Sequence, residues 1–334
     1  MSGKLSKDYV PLVAGLAGGA ASTVLLYPLD LVKVRLQVNE TVKRSRTLFG
    51  TMRYIIKYEG IRGVYQGLTP ALIGSAASWG GYFFIYEKIK KDIANRHRKK
   101  NHLSPDEKVV LSSTENFGAA CLSGAVMVGC TNPLWLIKTR MQLQMKKAQQ
   151  EQASKLGEGK VKLPYKNLFD AVTTIVREEG ILALYKGAVP ALMLVSHGGF
   201  QFVTYEFLKQ HFGEYTKSTR KTGEKKRVLE RLEDSLGYLA MGATSKIIAS
   251  TITYPIQVIK SRLQQRMDRT AEISASGEIE IVKREYKGVI DCVTKIWKRE
   301  GLNGFFKGSI PNALRVAPSA AITFVVYESI TDMY

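Results

Sequence analysis

The apolar positions of the chain form six long runs, and charged residues crowd into the segments between the runs. An apolar run of about 20 residues is long enough to cross a bilayer as a helix. The pattern predicts spanning helices over 9–38, 69–93, 112–144, 189–212, 235–265 and 310–332. Six crossings place both ends of the chain on one side. All the loops are basic, so the positive-inside rule does not say which side.

Every second run contains a proline followed by the same pattern of residues. The three copies read PLDLVKVRLQ at 28–37, PLWLIKTRMQ at 133–142 and PIQVIKSRLQ at 255–264. An interior proline removes a backbone hydrogen bond and kinks the helix. Because the proline recurs in the same context, the kinked helix belongs to a repeated unit.

A second landmark follows each kinked helix and fixes the length of the repeat. It reads EGIRGVYQGLTP at 59–70, EGILALYKGAVP at 179–190 and EGLNGFFKGSIP at 300–311. The loops before it differ in length, whereas its internal spacing does not. The chain therefore divides into repeats over 1–100, 101–220 and 221–334, each with two spanning helices. Gly15 and Gly19, four residues apart, are expected to let helices pack closely in lipid.

Composition and motifs disfavour several classes of function. The net charge of +20 suggests nucleic acid, but the basic residues are split among loops between apolar runs rather than gathered on one face. The three cysteines show neither disulfide nor metal-ligand spacing. No phosphate loop, metal cluster or nucleophile motif indicates an enzyme or a bound cofactor.

The triple P-x-[DE]-x-x-[KR]-x-[KR] pattern, each copy followed by EG and a [YF]-[QK]-G step, resembles the mitochondrial carrier family. The resemblance covers essentially the whole chain. It implies an all-α membrane protein, with six transmembrane helices in three pseudo-symmetric two-helix repeats around a central cavity. It also implies a monomer that contacts membrane lipids such as cardiolipin and works by alternating access in the mitochondrial inner membrane.

By that resemblance, charges after each kink form a gate on the matrix side. Asp30 would pair with Lys138, while Trp135 and Gln257 replace the other two acids and leave Lys260 and Lys33 without carboxylate partners. Gln257 can accept a hydrogen bond from Lys33. Glutamine braces lie below the ring, at Gln37, Gln142 and Gln264. With fewer charge-assisted bonds, this gate is expected to open more easily.

A second gate, on the cytoplasmic side, resembles the family's [FY]-[DE]-x-x-[KR] pattern. The first two copies are complete, and in the third Thr331 replaces the base. The expected members of this gate are Tyr86, Glu87, Lys90, Tyr205, Glu206, Lys209, Tyr327 and Glu328.

The substrate site is expected in the cavity, where an ionisable side chain is costly and indicates function. Lys246 lies about three and four helical turns before Gln257 and Lys260, and so shares their face. The family's contact positions correspond to Gly74 with Ser75, Leu194 with Val195, and Arg315 with Val316. A guanidinium suits phosphate or carboxylate. Trp79 and Gln201 are further candidates, and His197 is left open between ligand contact and helix–helix hydrogen bond.

These side chains predict an anionic ligand with a flat heteroaromatic part. SWGGYFF, NPLWLIKTR, SHGGFQF, TYPIQVIKSRLQ and ITFVVYE look like the carriers of folate and flavin adenine dinucleotide (FAD). An adenine or pyridine nucleotide exchanger, in the peroxisomal membrane, is the alternative. A receptor or scaffold that has the carrier shape without transport is a third, and the charged cavity residues disfavour it.

Overall fold

The computed structural model describes residues 10–39, 47–102, 109, 111–144, 164–217, 228–266, 269–273, 279–283 and 286–333. Within these ranges the helices are α1 Val10–Val38, α2 Leu48–Glu59, α3 Ile61–Val64, α4 Leu68–Asn101, α5 Ser113–Leu143, α6 Leu168–Glu179, α7 Ala188–Met193, α8 His197–Lys217, α9 Val228–Ile252, α10 Tyr254–Gln264, α11 Val289–Glu300, α12 Leu302–Phe305 and α13 Ser309–Asp332. Two 3₁₀ segments cover Ile181–Tyr185 and Leu194–Ser196. A hairpin pairs strand β1 Arg269–Ile273 with β2 Ile279–Lys283.

The long helices pack as a closed ring around a central space. α1 packs along α13, α4 along α5, and α8 along α9, so the first and last repeats meet. Gly18 makes the closest approach between α1 and α13, because a Cβ there would lie 2.8 Å from the carbonyl oxygen of Thr323. The expectation for Gly15 and Gly19 was wrong, since a Cβ at either position would meet no atom of another helix within 4 Å. The three-repeat helical fold is confirmed.

Length and composition qualify four described segments as membrane-spanning: Val13–Val38, Ser113–Leu143, Ile181–Phe212 and Leu302–Asp332. The other two predicted spans lie in α4 and in α9 with α10. α4 is charged from Glu87 onward and runs to Asn101, beyond the predicted end. The part of α9 before the predicted start at 235 is likewise charged.

The three proline kinks are not alike. Pro28 and Pro133 lie inside the continuous helices α1 and α5. In the third repeat the helix breaks at Thr253, and Pro255 lies in the first turn of the new helix α10. A proline is tolerated at the start of a helix because no backbone donor is needed there. The predicted single helix over 235–265 is therefore two helices.

Each repeat buries a small core beneath its kink. In the second repeat Leu136 and Ile137 of α5 pack on Ala171 and Ile175 of the amphipathic helix α6. The first and third repeats bury equivalent clusters, around Ile55 and around Ile296. These cores hold each short helix under its kinked helix, and so position the charged residues that follow the proline.

In each repeat, one glycine in the left-handed conformation directly precedes the helix that follows the EG segment, which is α4, α7 or α13. Gly67, Gly187 and Gly308 have φ near +80°. A Cβ on Gly308 would lie 2.8 Å from the Lys33 carbonyl oxygen of the neighbouring repeat, and one on Gly187 would lie 2.8 Å from Cγ of Gln264. Glycine is therefore required twice, for the backbone angle and for the close approach between repeats.

Candidate functional site

A cavity of about 430 Å³ lies on the ring axis, beside the kinked segments. Its described lining comes from all three repeats and includes five cationic side chains against one carboxylate. These are Lys33, Lys138, Lys246, Lys260 and Arg315 against Asp30. Such an excess of positive charge attracts an anion of small-molecule size.

Asp30 is the centre of the charged network. Its Oδ2 accepts from Lys138 Nζ at 2.7 Å and from Gln142 Nε2 at 3.1 Å, and its Oδ1 lies 3.2 Å from an Arg315 guanidinium nitrogen. Arg315 is on α13 of the third repeat and Lys138 on α5 of the second. One carboxylate thus joins all three repeats.

The second polar contact between repeats joins a charged lysine to a neutral amide. Lys33 Nζ donates to Gln257 Oε1 at 3.0 Å. Gln257 Nε2 then donates to Ser250 Oγ at 3.3 Å, which also accepts from Asn312 Nδ2 at 2.7 Å. Asn312 and Arg315 lie three apart on α13, so one face of that helix reaches the network by two routes.

The third contact involves an aromatic ring instead of an acid. Lys138 Nζ and Lys260 Nζ lie 5.3 and 5.9 Å from the centre of a Trp135 ring, within cation–π range. In the described part of the chain, neither Lys246 nor Lys260 makes a hydrogen bond or an ion pair with another residue. These two ammonium groups can therefore bind a ligand without breaking a hydrogen bond or an ion pair.

We call Asp30, Lys33, Trp135, Lys138, Gln257 and Lys260 the gate ring. All six line the cavity, and so do the braces Gln37, Gln142 and Gln264. Gln142 supports Asp30 directly, whereas Gln37 accepts from Ser261 Oγ at 2.7 Å and Gln264 from Thr139 Oγ1 at 3.0 Å. Each brace therefore crosses to the next repeat.

The predicted substrate residues divide into two groups. Those that line the cavity are Ser75, Leu194, Lys246, Arg315 and Val316. His197 lines it too, and its Nδ1 shares a hydrogen bond of 3.0 Å with Thr253 Oγ1 where α9 ends.

The other four candidates are not among the residues that line this cavity. Gly74 is buried, with its Cβ position 3.8 Å from the Trp135 ring, and Val195 packs on Gly124. Trp79 is 63 % exposed and stacks on Phe83. Gln201 is not part of the described lining either, although it lies four residues after His197 on α8.

The residues of the predicted cytoplasmic gate, at the other end of the helices, form ion pairs only within single helices in the described ranges. Lys90 lies 3.9 Å from Glu87 and Lys209 lies 3.7 Å from Glu206, so both pairs stay within one helix. Lys90 also lies over the ring of Tyr86. Tyr205, Tyr327 and Glu328 make no ion pair in the described ranges. The charges that would join helices at this end do not do so here.

Sequence reasoning missed a layer of three ion pairs below the gate ring. Arg35 binds Glu59, Arg140 binds Glu179 and Arg262 binds Glu300, each through both carboxylate oxygens. We call these the Arg–Glu layer. The glutamate is that of the EG pair and the arginine lies two residues after the gate lysine, so the signal was present in both repeated motifs.

The same arginines also join neighbouring repeats. Arg35 Nε donates to the Gln142 carbonyl at 2.9 Å, Arg140 Nε to that of Gln264 at 3.2 Å, and Arg262 Nε to that of Gln37 at 3.0 Å. The three bonds close a circle through all repeats. Burial alone would raise the pKa of Glu179, but Arg140 and Lys186 lower it to about 2.

Comparison with known proteins agrees with this geometry. The mitochondrial carrier protein family matches residues 6–97, 110–216 and 233–334. The chain is 38 % identical over 324 residues to "Folate transporter 1, chloroplastic" of Arabidopsis thaliana, covering 96 % of this chain and 94 % of that one.

Two further relatives from the same plant name another solute. The chain is 35 % identical to "Nicotinamide adenine dinucleotide transporter 2, mitochondrial", covering 94 % of this chain and 77 % of that one. It is 32 % identical to "Peroxisomal nicotinamide adenine dinucleotide carrier", covering 95 % and 93 %. The chain therefore belongs to the mitochondrial carrier family of membrane transporters.

Proposed function

We propose that this carrier moves FAD, folate or a related flat, anionic cofactor across the mitochondrial inner membrane by alternating access. The observation that carries the proposal is the excess of five cationic groups over one carboxylate in the cavity. The names of the relatives, a folate transporter and carriers of nicotinamide adenine dinucleotide (NAD), support a flat cofactor over a small dicarboxylate.

Lys246 and Arg315 are the proposed first contacts for the anionic groups. Lys246 has no competing partner in the described cavity lining. Arg315 does have one, Asp30, and its side chain is still 38 % exposed. The remaining lining of hydroxyl and aliphatic groups, such as Ser75 and Leu194, leaves room for the planar part of the solute.

Binding and opening are coupled through Arg315 in this proposal. An anion that draws the guanidinium toward itself removes one of the two cations held by Asp30. The gate ring then keeps one ion pair, Asp30–Lys138, and one bond to a neutral amide, Lys33–Gln257. The carrier works as a monomer in contact with cardiolipin, and no bound cofactor takes part.

The test is uptake by liposomes that contain the purified protein. Labelled folate, FAD, NAD and ATP are offered singly, with unlabelled malate as a small dicarboxylate competitor. We expect folate or FAD to enter and malate not to compete. Uptake of NAD or ATP alone would favour the nucleotide exchanger, and competition by malate would overturn the proposal.

Two variants link uptake to the cavity. Arg315→Ala and Lys246→Ala are expected to reduce uptake at least tenfold while the protein remains folded, because each removes a charged contact worth more than about 1.4 kcal/mol. Lys88→Ala, at an exposed position of α4 outside both gates and the cavity lining, is the matched control for removal of a positive charge. No uptake of any solute by folded protein would favour the receptor or scaffold.

A further inference from the structure

The three boundaries between repeats are unequal at the level of the gate ring. The boundary between repeats 1 and 2 has the ion pair Asp30–Lys138, and that between repeats 3 and 1 has the hydrogen bond Lys33–Gln257. At the boundary between repeats 2 and 3, Lys260 faces Trp135 with no acid and no hydrogen bond among the described residues. This boundary is the weakest of the three in the ring.

An ion pair outside the cavity crosses the same boundary. Arg266, two residues beyond Gln264, donates to Glu178 Oε2 at 2.9 Å. The Arg266 side chain is 8 % exposed, and its guanidinium lies 4.8 Å from the centre of the Tyr165 ring. Arg266 belongs to repeat 3, whereas Glu178 and Tyr165 belong to repeat 2. The contact therefore ties together the two repeats that the gate ring joins least.

The equivalent positions of the other repeats cannot form this pair. Asn39 and Gln144 lie two residues beyond the braces Gln37 and Gln142. Tyr58 and Arg299 precede the EG glutamates where Glu178 precedes Glu179. A basic residue two positions after the brace and an acidic residue just before the EG glutamate face each other only across the boundary between repeats 2 and 3.

Gln144 shows what this position does elsewhere. Its side chain accepts from the Tyr165 backbone nitrogen at 2.9 Å, so it bonds within its own repeat. Every boundary also has an arginine-to-carbonyl bond and a glutamine brace. The Arg266–Glu178 pair is thus an addition at one boundary rather than part of the three-fold pattern.

We propose that Arg266 and Glu178 form an auxiliary latch that takes the place of the ion pair missing from the gate ring between repeats 2 and 3. The latch is closed when the kinked ends are together and breaks when they separate. Because neither residue lines the cavity, the latch sets how readily this gate opens and does not select the solute. The inference rests on the proposed function only in that this gate opens during transport.

The test measures opening directly, without a solute. Thr23 lines the cavity, and Thr23→Cys in a background with Cys121, Cys130 and Cys292 changed to Ala provides a single thiol. A membrane-impermeant maleimide, confined to the side of the kinked ends in liposomes of one orientation, labels this thiol only when the gate opens. The variants are Glu178→Gln, Arg266→Gln, both together, and the exchange Glu178→Arg with Arg266→Glu.

We expect each single variant to speed labelling by about fivefold, the lower end of ordinary coupling between sites. The double variant should add nothing to either single change, and the exchange should restore slow labelling. Asp291→Asn is the matched control, because it removes an ion pair, Asp291–Lys295, that lies within α11. It should leave the labelling rate unchanged.

A merely structural pair would behave differently. If Glu178→Gln lowers the unfolding temperature while labelling stays slow, the latch is wrong. The same holds if the two single effects add in the double variant. Liposomes that take up no flat anion but label as expected would leave the latch standing and remove the proposed function.

Discussion

The Arg–Glu layer and the gate ring lie next to each other at the kinked end, and they follow the three-fold repeat to very different degrees. In the layer, all three repeats form the same bidentate ion pair. Each glutamate also accepts one further contact, from Gln66, Lys186 or Lys307 in repeats 1, 2 and 3. In the ring, one boundary has an ion pair, one a bond to an amide, and one a cation–ring contact.

The difference follows from what each contact must do. The ion pairs of the layer join a kinked helix to the short helix of the same repeat, so they can persist while the repeats move. The contacts of the ring join different repeats, so the proposed alternating access requires them to break in every cycle. Strong ion pairs are therefore tolerated in the Arg–Glu layer. In the gate ring they would raise the energy barrier to opening.

The largest predicted loss of stability comes from breaking one ion pair of the Arg–Glu layer. Arg262→Ala leaves the Glu300 carboxylate buried with Lys307 alone, and both side chains of the lost pair are 1 % exposed. Loss of one partner from a buried pair costs about 3–5 kcal/mol. Thermal unfolding in detergent should show a large decrease, and Arg315→Ala, the same change at a half-exposed site, a much smaller one. Equal decreases would contradict the comparison.

Acid should weaken the layer through its glutamates. The pKa of Glu179 is lowered from 4.5 to about 2, and Arg262 and Lys307 outweigh burial to lower that of Glu300 as well. A group whose pKa is lowered on folding stabilises the protein above its unfolded pKa, and that contribution is lost as pH falls. The unfolding temperature should therefore fall between pH 4.5 and 2. Glu179→Gln should flatten this dependence, and an unchanged profile would contradict it.

The smallest predicted change in stability comes from giving the gate ring a second ion pair. Gln257→Glu gives Lys33 a carboxylate partner, and we expect about 1 kcal/mol of added stability. Uptake should slow, because the closed gate is favoured. Gln210→Glu makes the same chemical change on an exposed part of α8 and serves as control. Faster uptake without a gain in stability would show that Gln257 does not hold the gate.

The resemblance to the carrier family implied that Asp30 pairs with Lys138 and that Gln257 can accept a hydrogen bond from Lys33. The structure has both contacts. The Glu59–Arg35 pair was not predicted, because the partners are 24 residues apart and meet only once α2 folds under α1.

Local irregularities account for the remaining differences. The 3₁₀ segment Leu194–Ser196 interrupts the predicted helix over 189–212, and the break at Thr253 divides the predicted helix over 235–265. Neither has a sequence signal as strong as the repeat. Likewise nothing in the motif showed that Arg315 would reach across to Asp30, because that contact joins the last repeat to the first.

The central claim is that the carried anion and Asp30 compete for Arg315. The most direct test is the dissociation constant of the transported solute, measured by thermal shift for the unchanged protein and for Asp30→Asn. The account predicts binding at least about fivefold tighter in Asp30→Asn, and no such gain when Arg315→Ala is already present. Equal or weaker binding in Asp30→Asn, or a gain that survives without Arg315, would contradict it.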